Sequence, residues 1–253
     1  MIMSGYGLNC EEETKFAFDS AGGKTDIVHI NDLIAKPKML SKYDILAFPG
    51  GFSYGDDTGS GKAYANKFKN HLSKELTEFL SRDTLVVGLC NGFQIITSLG
   101  ILPGALTFNK YGTYIDRWVD LEVPASALAS ARRGKNLSPW LVGIKKISLP
   151  IAHGEGRYVI DPKQKPEIAF KYVRGEICKF QNLEANPNGS EHDIAGVLGY
   201  NGRVLGMMPH PERGMFAHQS PLWQTNKQKS KKGSKEGAGL QIFKNAIAYF
   251  NGR

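Results

Sequence analysis

From Met1 to about Gly100 the chain alternates between short continuous apolar runs and longer stretches whose apolar residues recur at three- and four-residue steps. "DIVHI" (26–30) and "DILAFPGG" (44–51) are too short and too uniformly apolar for an amphipathic helix. They predict buried strands, the second ended by Pro-Gly-Gly. "EEETKFAFDSAGG" (11–23) predicts a helix with acids in its first turn, where the dipole favours them, and glycines past its end. Between Lys62 and about Ser81, Ala65, Phe68, Leu72, Leu76, Phe79 and Leu80 fall on one helical face. "TLVVGLC" (84–90) reads as the next buried strand and "NGFQIITSLG" (91–100) as the helix after it. Strand and helix in alternation predict an α/β fold, an open and largely parallel sheet with helices on both faces.

The pattern changes after Thr107. "TYIDRWVDLEV" (113–123) and "GIKKISL" (143–149) are strand-like pieces around a polar, turn-rich middle, and predict an antiparallel excursion. "IAGVLG" and "GRVLGMM" predict a hairpin turning at Asn201-Gly202, and "GLQIFKNAIAYFNG" (239–252) a final amphipathic helix. No repeat or linker interrupts residues 1–253, which predicts a single domain.

Composition narrows the class. With 253 residues, 41% of them hydrophobic, the chain can bury a large core. No apolar run approaches the roughly 18 to 20 residues that a membrane-spanning helix needs, and the first residues lack the basic start and apolar stretch of a signal peptide; a cytoplasmic protein without a membrane partner is expected. Three cysteines without a CxxC pair argue against a disulfide framework and against a zinc site. The net charge of +8 suggests nucleic acid, yet "KQKSKKGSKE" (227–236) alone supplies half of it. Residues 224–238 are expected to be a solvated, flexible lysine-rich loop, and no nucleic-acid partner is expected.

Two motifs carry chemistry. Gly88-Leu89-Cys90-Asn91-Gly92 is G-x-C-x-G, the spacing of a nucleophile elbow, with the cysteine between a buried strand and a helix N-terminus. There the unpaired N–H groups favour a thiolate, and the Asn91 N–H is placed to hold an oxyanion. A thiol nucleophile needs a base, and His210 stands in "MMPHPERG" directly after an apolar strand. Its flanking prolines bias the segment toward extended backbone, so His210 and Glu212 share a side and the carboxylate can orient the imidazole. His29, His71, His192 and His218 lie in ordinary strand, helix or loop contexts. In "FPGGFSYGDD", Gly50 and Gly51 permit close backbone approach, and Gly51 is a candidate second oxyanion donor.

"PGGFSYGDD", "GLCNGFQ" and "PHPERG", together with "GYGLNCEEET" and "PIAHGEGRY", resemble in order and distance the class I, triad-type glutamine amidotransferases, in particular the branch serving phosphoribosylformylglycinamidine synthase of purine biosynthesis. The resemblance spans nearly the whole chain. It implies a flavodoxin-like fold and a glutaminase in which Cys90 attacks L-glutamine, His210 moves the proton and Glu212 orients His210. It further implies Gly51 and Asn91 as the oxyanion hole, and Gln94, Gly50, Phe52, His153, Glu155 and Arg157 as substrate-binding candidates. Ammonia would pass to a separate synthetase subunit, with a small accessory subunit completing the enzyme. ATP and magnesium are expected on that synthetase, with no cofactor and no metal on this chain. Where many relatives read GDYLR, this chain has "GDDTGSGKAYA", a mark of a different branch. Cys10 and Cys178 are read as structural.

Two other classes fit parts of the pattern. A related peptidase-like cysteine hydrolase would use the same elbow and histidine, and a non-enzymatic basic binding module would use the lysine run. Gln94 and the His-Pro-Glu spacing favour the amidotransferase.

Overall fold

Nine strands form one sheet in the order β2-β1-β3-β4-β11-β10-β9-β6-β7. The computed structural model describes residues 1–57, 59–127, 138–225 and 235–251. The strands are β1 (Ile2–Ser4), β2 (Ile27–His29), β3 (Ile45–Phe48), β4 (Leu85–Leu89), β5 (Ala105–Thr107), β6 (Ile115–Glu122), β7 (Lys146–His153), β8 (Arg157–Val159), β9 (Glu167–Val173), β10 (Ile194–Gly199) and β11 (Val204–Met207). The helices are α1 (Glu11–Ser20), α2 (Ile30–Ala35), α3 (Lys62–Ser81), α4 (Asn91–Ser98), α5 (Glu176–Gln181) and α6 (Leu240–Asn251). β5 and β8 make a separate antiparallel pair.

From β2 to β11 every neighbour is parallel, as the alternating pattern requires. From β11 to β7 every neighbour is antiparallel. The antiparallel excursion is therefore the second half of the same sheet. Strand alternation loads both faces: Leu85, Val87 and Leu89 of β4 join one core, while Val86 joins the other. The first core takes Phe18 of α1 and Phe243 of α6, whose rings meet edge to face at 4.9 Å. The second takes Phe68 and Leu72 of α3 and Phe93 of α4. All six apolar residues of the predicted α3 stripe are buried.

The hairpin between β10 and β11 turns at Asn201-Gly202 as expected, but its connection is longer than the pair itself. Tyr200, Asn201 and Gly202 all adopt left-handed backbone (φ 50, 57 and 81) in a four-residue connection closed by Gly202 N–H to Gly199 O. Pairing Gly199 with Val204 leaves four residues to turn, so a two-residue type I′ loop does not fit. β9, with Ala169, Phe170 and Tyr172 in the core, and α5 lie in a segment where the sequence pattern gave no element. Of the lysine-rich stretch 224–238, residues 226–234 lie outside the described residues, as do 128–137 of the turn-rich middle. At the near end of the former, Lys235 O accepts the Ala217 N–H and Glu236 bridges to Phe216.

Candidate active site

β3, β4 and β11 are consecutive parallel neighbours, with Phe48 beside Gly88 and Met207 beside Leu89. Each sends its next residues off the same carboxyl end, where ligand sites of parallel sheets form. β3 delivers Gly50 and Gly51, β4 delivers Cys90, and β11 delivers His210.

Cys90 is 5% exposed and has φ 51, ψ −107, a backbone that non-glycine residues adopt at a cost of roughly 1–3 kcal/mol. The surrounding structure holds it there: its N–H extends the ladder to Met207 O at 2.9 Å, and its carbonyl accepts the first helical N–H groups from Phe93 and Gln94. A β-carbon on Gly88 would come within 2.6 Å of Gly92 O, so the flanking glycines are a steric requirement of the elbow. The thiol donates to Ala152 O at 3.6 Å.

His210 is held by its own N–H, which donates to Pro150 O at 2.8 Å. β7 is the last strand in the sheet order, yet Pro150 meets His210 and Ala152 meets Cys90, so the antiparallel half curls back to close the site. The His210 Nδ1–H donates to Glu212 Oε1 at 2.5 Å, both side chains fully buried. That bond fixes the tautomer and turns Nε2 into the site, where it has no partner among the described residues. Burial disfavours the imidazolium, but the Glu212 carboxylate, then the Cys90 sulfur and contacts to Cys10 and Cys90, outweigh it; the His210 pKa stands well above its ordinary value. The arrangement can therefore store a proton beside a thiol, the requirement for generating a thiolate.

Leu8 and Gly51 form an antiparallel bridge whose bonds run from Phe52 N–H to Gly7 O (2.9 Å) and from Asn9 N–H to Gly50 O (3.2 Å). That is the non-hydrogen-bonded kind of pair, which turns the Gly51 N–H away from Leu8. Gly51 has φ +151, and any β-carbon there would sit 2.5 Å from Gly7 O. The Asn91 N–H belongs to the first turn of α4, where backbone donors lack helical acceptors. The Asn91 side chain ties the loops together: Oδ1 accepts from Ser53 N–H at 3.1 Å, and Nδ2 donates to Gln94 Oε1 at 2.7 Å.

The remaining candidates divide. Gln94 Nε2–H donates to Glu155 O at 2.5 Å, and the Glu155 carboxylate accepts from Ser60 N–H at 3.3 Å, so both stand in the wall beside Asn91. His153 is buried, and burial, helped by nearby His210, pushes its pKa down to about 3. It is neutral, Nδ1–H donating to Asn109 Oδ1 at 3.1 Å and Nε2 unpartnered among the described residues. Phe52 is 42% exposed with its ring 6.1 Å from that of Tyr114, at the rim. Arg157 lies on β8, paired with Thr107 on β5, and makes no hydrogen bond to the triad candidates among the described residues. Asn109 had no sequence signal: Nδ2 donates to Thr113 O and His153 O, while Oδ1 also accepts from Gly156 N–H, pinning the "HGEG" loop.

Cys10, read from the sequence as structural, has both a histidine and an acid beside it. Its sulfur lies within 4.8 Å of ligand atoms of both His210 and Glu212 and accepts from Arg213 Nη2 at 2.9 Å. The three side chains form a potential metal cluster by composition, but a guanidinium on the sulfur places a cation where a metal would have to approach.

Residues 1–250 match the CobB/CobQ-like glutamine amidotransferase domain family. A phosphoribosylformylglycinamidine synthase subunit PurQ from Methanococcus maripaludis is 43% identical, over 99% of this chain and 97% of that protein. One from Dehalococcoides mccartyi is 38% identical over 98% and 96%. A solved structure described as PurLQS from Thermotoga maritima contains a chain 31% identical, with a TM-score of 0.72 over 98% of this chain and 97% of that one. A strained cysteine, a carboxylate-held histidine and a glycine loop converge at the carboxyl ends of three adjacent strands, and these relatives are matched over 96–97% of their own length. The chain belongs to the CobB/CobQ-like glutamine amidotransferase family, in its branch of phosphoribosylformylglycinamidine synthase PurQ subunits.

Proposed function

We propose that this chain is the glutaminase subunit of a phosphoribosylformylglycinamidine synthase, acting as one domain over residues 1–253, with Cys90, His210 and Glu212 as its triad. His210 accepts the Cys90 proton, and the thiolate adds to the side-chain amide carbon of L-glutamine. The Gly51 and Asn91 N–H groups hold the resulting oxyanion. The imidazolium then protonates the amide nitrogen, the C–N bond breaks, and ammonia leaves a glutamyl thioester. Water, deprotonated by His210, attacks the thioester; glutamate departs and the proton returns to the Cys90 sulfur.

The observation that carries this reading is the delivery of Gly51, Cys90 and His210 from three adjacent parallel strands, with Glu212 2.5 Å from His210 Nδ1. Gln94, Gly50, Phe52, His153, Glu155 and Arg157 are proposed to hold the glutamine. The ammonia passes to a synthetase subunit that binds ATP and magnesium and works with a small accessory subunit, all in the cytoplasm; this chain uses no metal and no cofactor of its own. No helix among the described residues is long and apolar enough to cross a membrane.

The test is intact-mass spectrometry after incubation with 6-diazo-5-oxo-L-norleucine, with and without the synthetase and accessory subunits. One adduct at Cys90, absent in Cys90→Ala, is expected. Labelling at another residue, or none in the assembled complex, rejects the triad.

A further inference from the structure

The motif "GYGLNC" takes no part in the chemistry just described, yet its last residue sits at the junction of the catalytic parts. Cys10 is fully buried, and its N–H and that of Asn9 both donate to Gly50 O at 3.2 Å, the carbonyl of the peptide that leads into Gly51. Its S–H points to Asn9 Oδ1 at 3.5 Å, and its sulfur accepts from Arg213 Nη2 at 2.9 Å. A β-carbon on Gly50 would lie 3.0 Å from this sulfur and 2.7 Å from His210 Cε1, so nothing larger than glycine fits between thiol and imidazole. Arg213 in turn sits one residue beyond Glu212, and its own N–H donates to His210 O.

We infer, on the basis of the triad reading above, that Cys10 is a positioning residue. Its sulfur and the Arg213 guanidinium form a half-buried brace that keeps the His210–Glu212 pair facing Cys90, and its backbone ties that pair to the Gly50–Gly51 peptide. The thiol is suited to the place in two ways. A sulfur is a large, soft acceptor that fills the space beside Gly50 while receiving the guanidinium N–H. As a thiol it also donates to Asn9, so neither of its polar capacities is left unpaired in the interior. The motif thus links the two halves of the site, proton transfer and oxyanion binding, without touching substrate. A β-carbon at Gly50 would break the same brace from the other side, because it would push Cys10 and His210 apart.

Steady-state glutaminase assays on the assembled three-component complex, over a range of pH, decide this for Cys10→Ala, Cys10→Ser and Cys90→Ala. Loss of the brace should lower kcat for Cys10→Ala by about tenfold or more with KM within about twofold, since small displacements of a catalytic group act on the chemical step. The limbs of the pH profile should move, and Cys10→Ser, which keeps a donor and an acceptor, should recover most of the rate. Wild-type kcat and an unmoved pH profile in Cys10→Ala overturn the inference, even if its thermal stability falls, because that is what packing alone predicts. Should Cys10→Ala fail to fold, Cys10→Ser beside Arg213→Lys gives the same decision: a wild-type profile in Arg213→Lys, with its fork lost, overturns the brace. Activity surviving in Cys90→Ala would instead sink the triad itself, so the two failures are distinct.

Discussion

A β-carbon placed on Gly92 would lie 1.8 Å from the carbonyl oxygen of Phe48. The first turn of α4, which follows Cys90 directly, therefore rests on the end of β3. Gly92→Ala is expected to destabilise the chain by about 3 kcal/mol, the upper range for overpacking a tight interior, and to abolish glutaminase activity. Gly154→Ala is the control: its β-carbon would meet only Tyr114 Cδ2 at 3.8 Å, so it should cost under about 1 kcal/mol. Denaturant titration of both variants checks the ranking.

Glu212 sets the charge state of His210. Because its carboxylate raises the imidazole pKa well above the ordinary value, the imidazolium persists as pH rises, and its loss is expected to set the alkaline limb of the activity profile. Glu212→Gln removes that support, so the alkaline limb of kcat/KM should move toward lower pH and kcat should fall by roughly 10²- to 10⁴-fold. An alkaline limb that stays in place would show that Glu212 does not govern His210.

Asn91 offers a separation of backbone from side chain. Asn91→Ala keeps the N–H proposed for the oxyanion but deletes the acceptor for Ser53 N–H and the link to Gln94. The buried Ser53 amide then loses its partner, which costs about 1–3 kcal/mol. KM for glutamine should rise as Gln94 and the 53–57 loop lose their tie. Unchanged KM in steady-state assays would place substrate binding elsewhere.

What was legible in the sequence follows from the range of the interactions. Cys90 and His210 stood out because glycines and prolines beside them constrain the backbone locally, and the α3 stripe because its helical period repeats over five turns. Cys10 and Arg213 are 203 residues apart, and no local pattern signals a contact of that span. Asn109 acts through residues 44 and 47 positions away, and its own surroundings, "TFNKYG", read as an ordinary turn. The hairpin and its Asn-Gly turn were legible, but the length of the connection was not. Asn201-Gly202 does carry left-handed backbone, as its composition suggests, but Tyr200 joins it because the strand pairing ends one residue earlier.

His153 makes folding sensitive to acid. Its pKa lies near 3 in the folded chain against 6.5 for an ordinary histidine, so the unfolded chain binds the extra proton first as pH falls. The sign follows: stability from the neutral, buried imidazole is fully present above about pH 6.5 and is lost progressively toward pH 3. Each unit in that window costs up to about 1.4 kcal/mol. His153→Gln cannot titrate, and its amide can still donate to Asn109 Oδ1, so it should flatten the dependence of unfolding free energy on pH between about 6.5 and 5. Urea unfolding at several pH values measures the slope. Equal slopes in the two proteins would mean that another group carries the proton uptake, and that burial does not hold the His153 imidazole neutral.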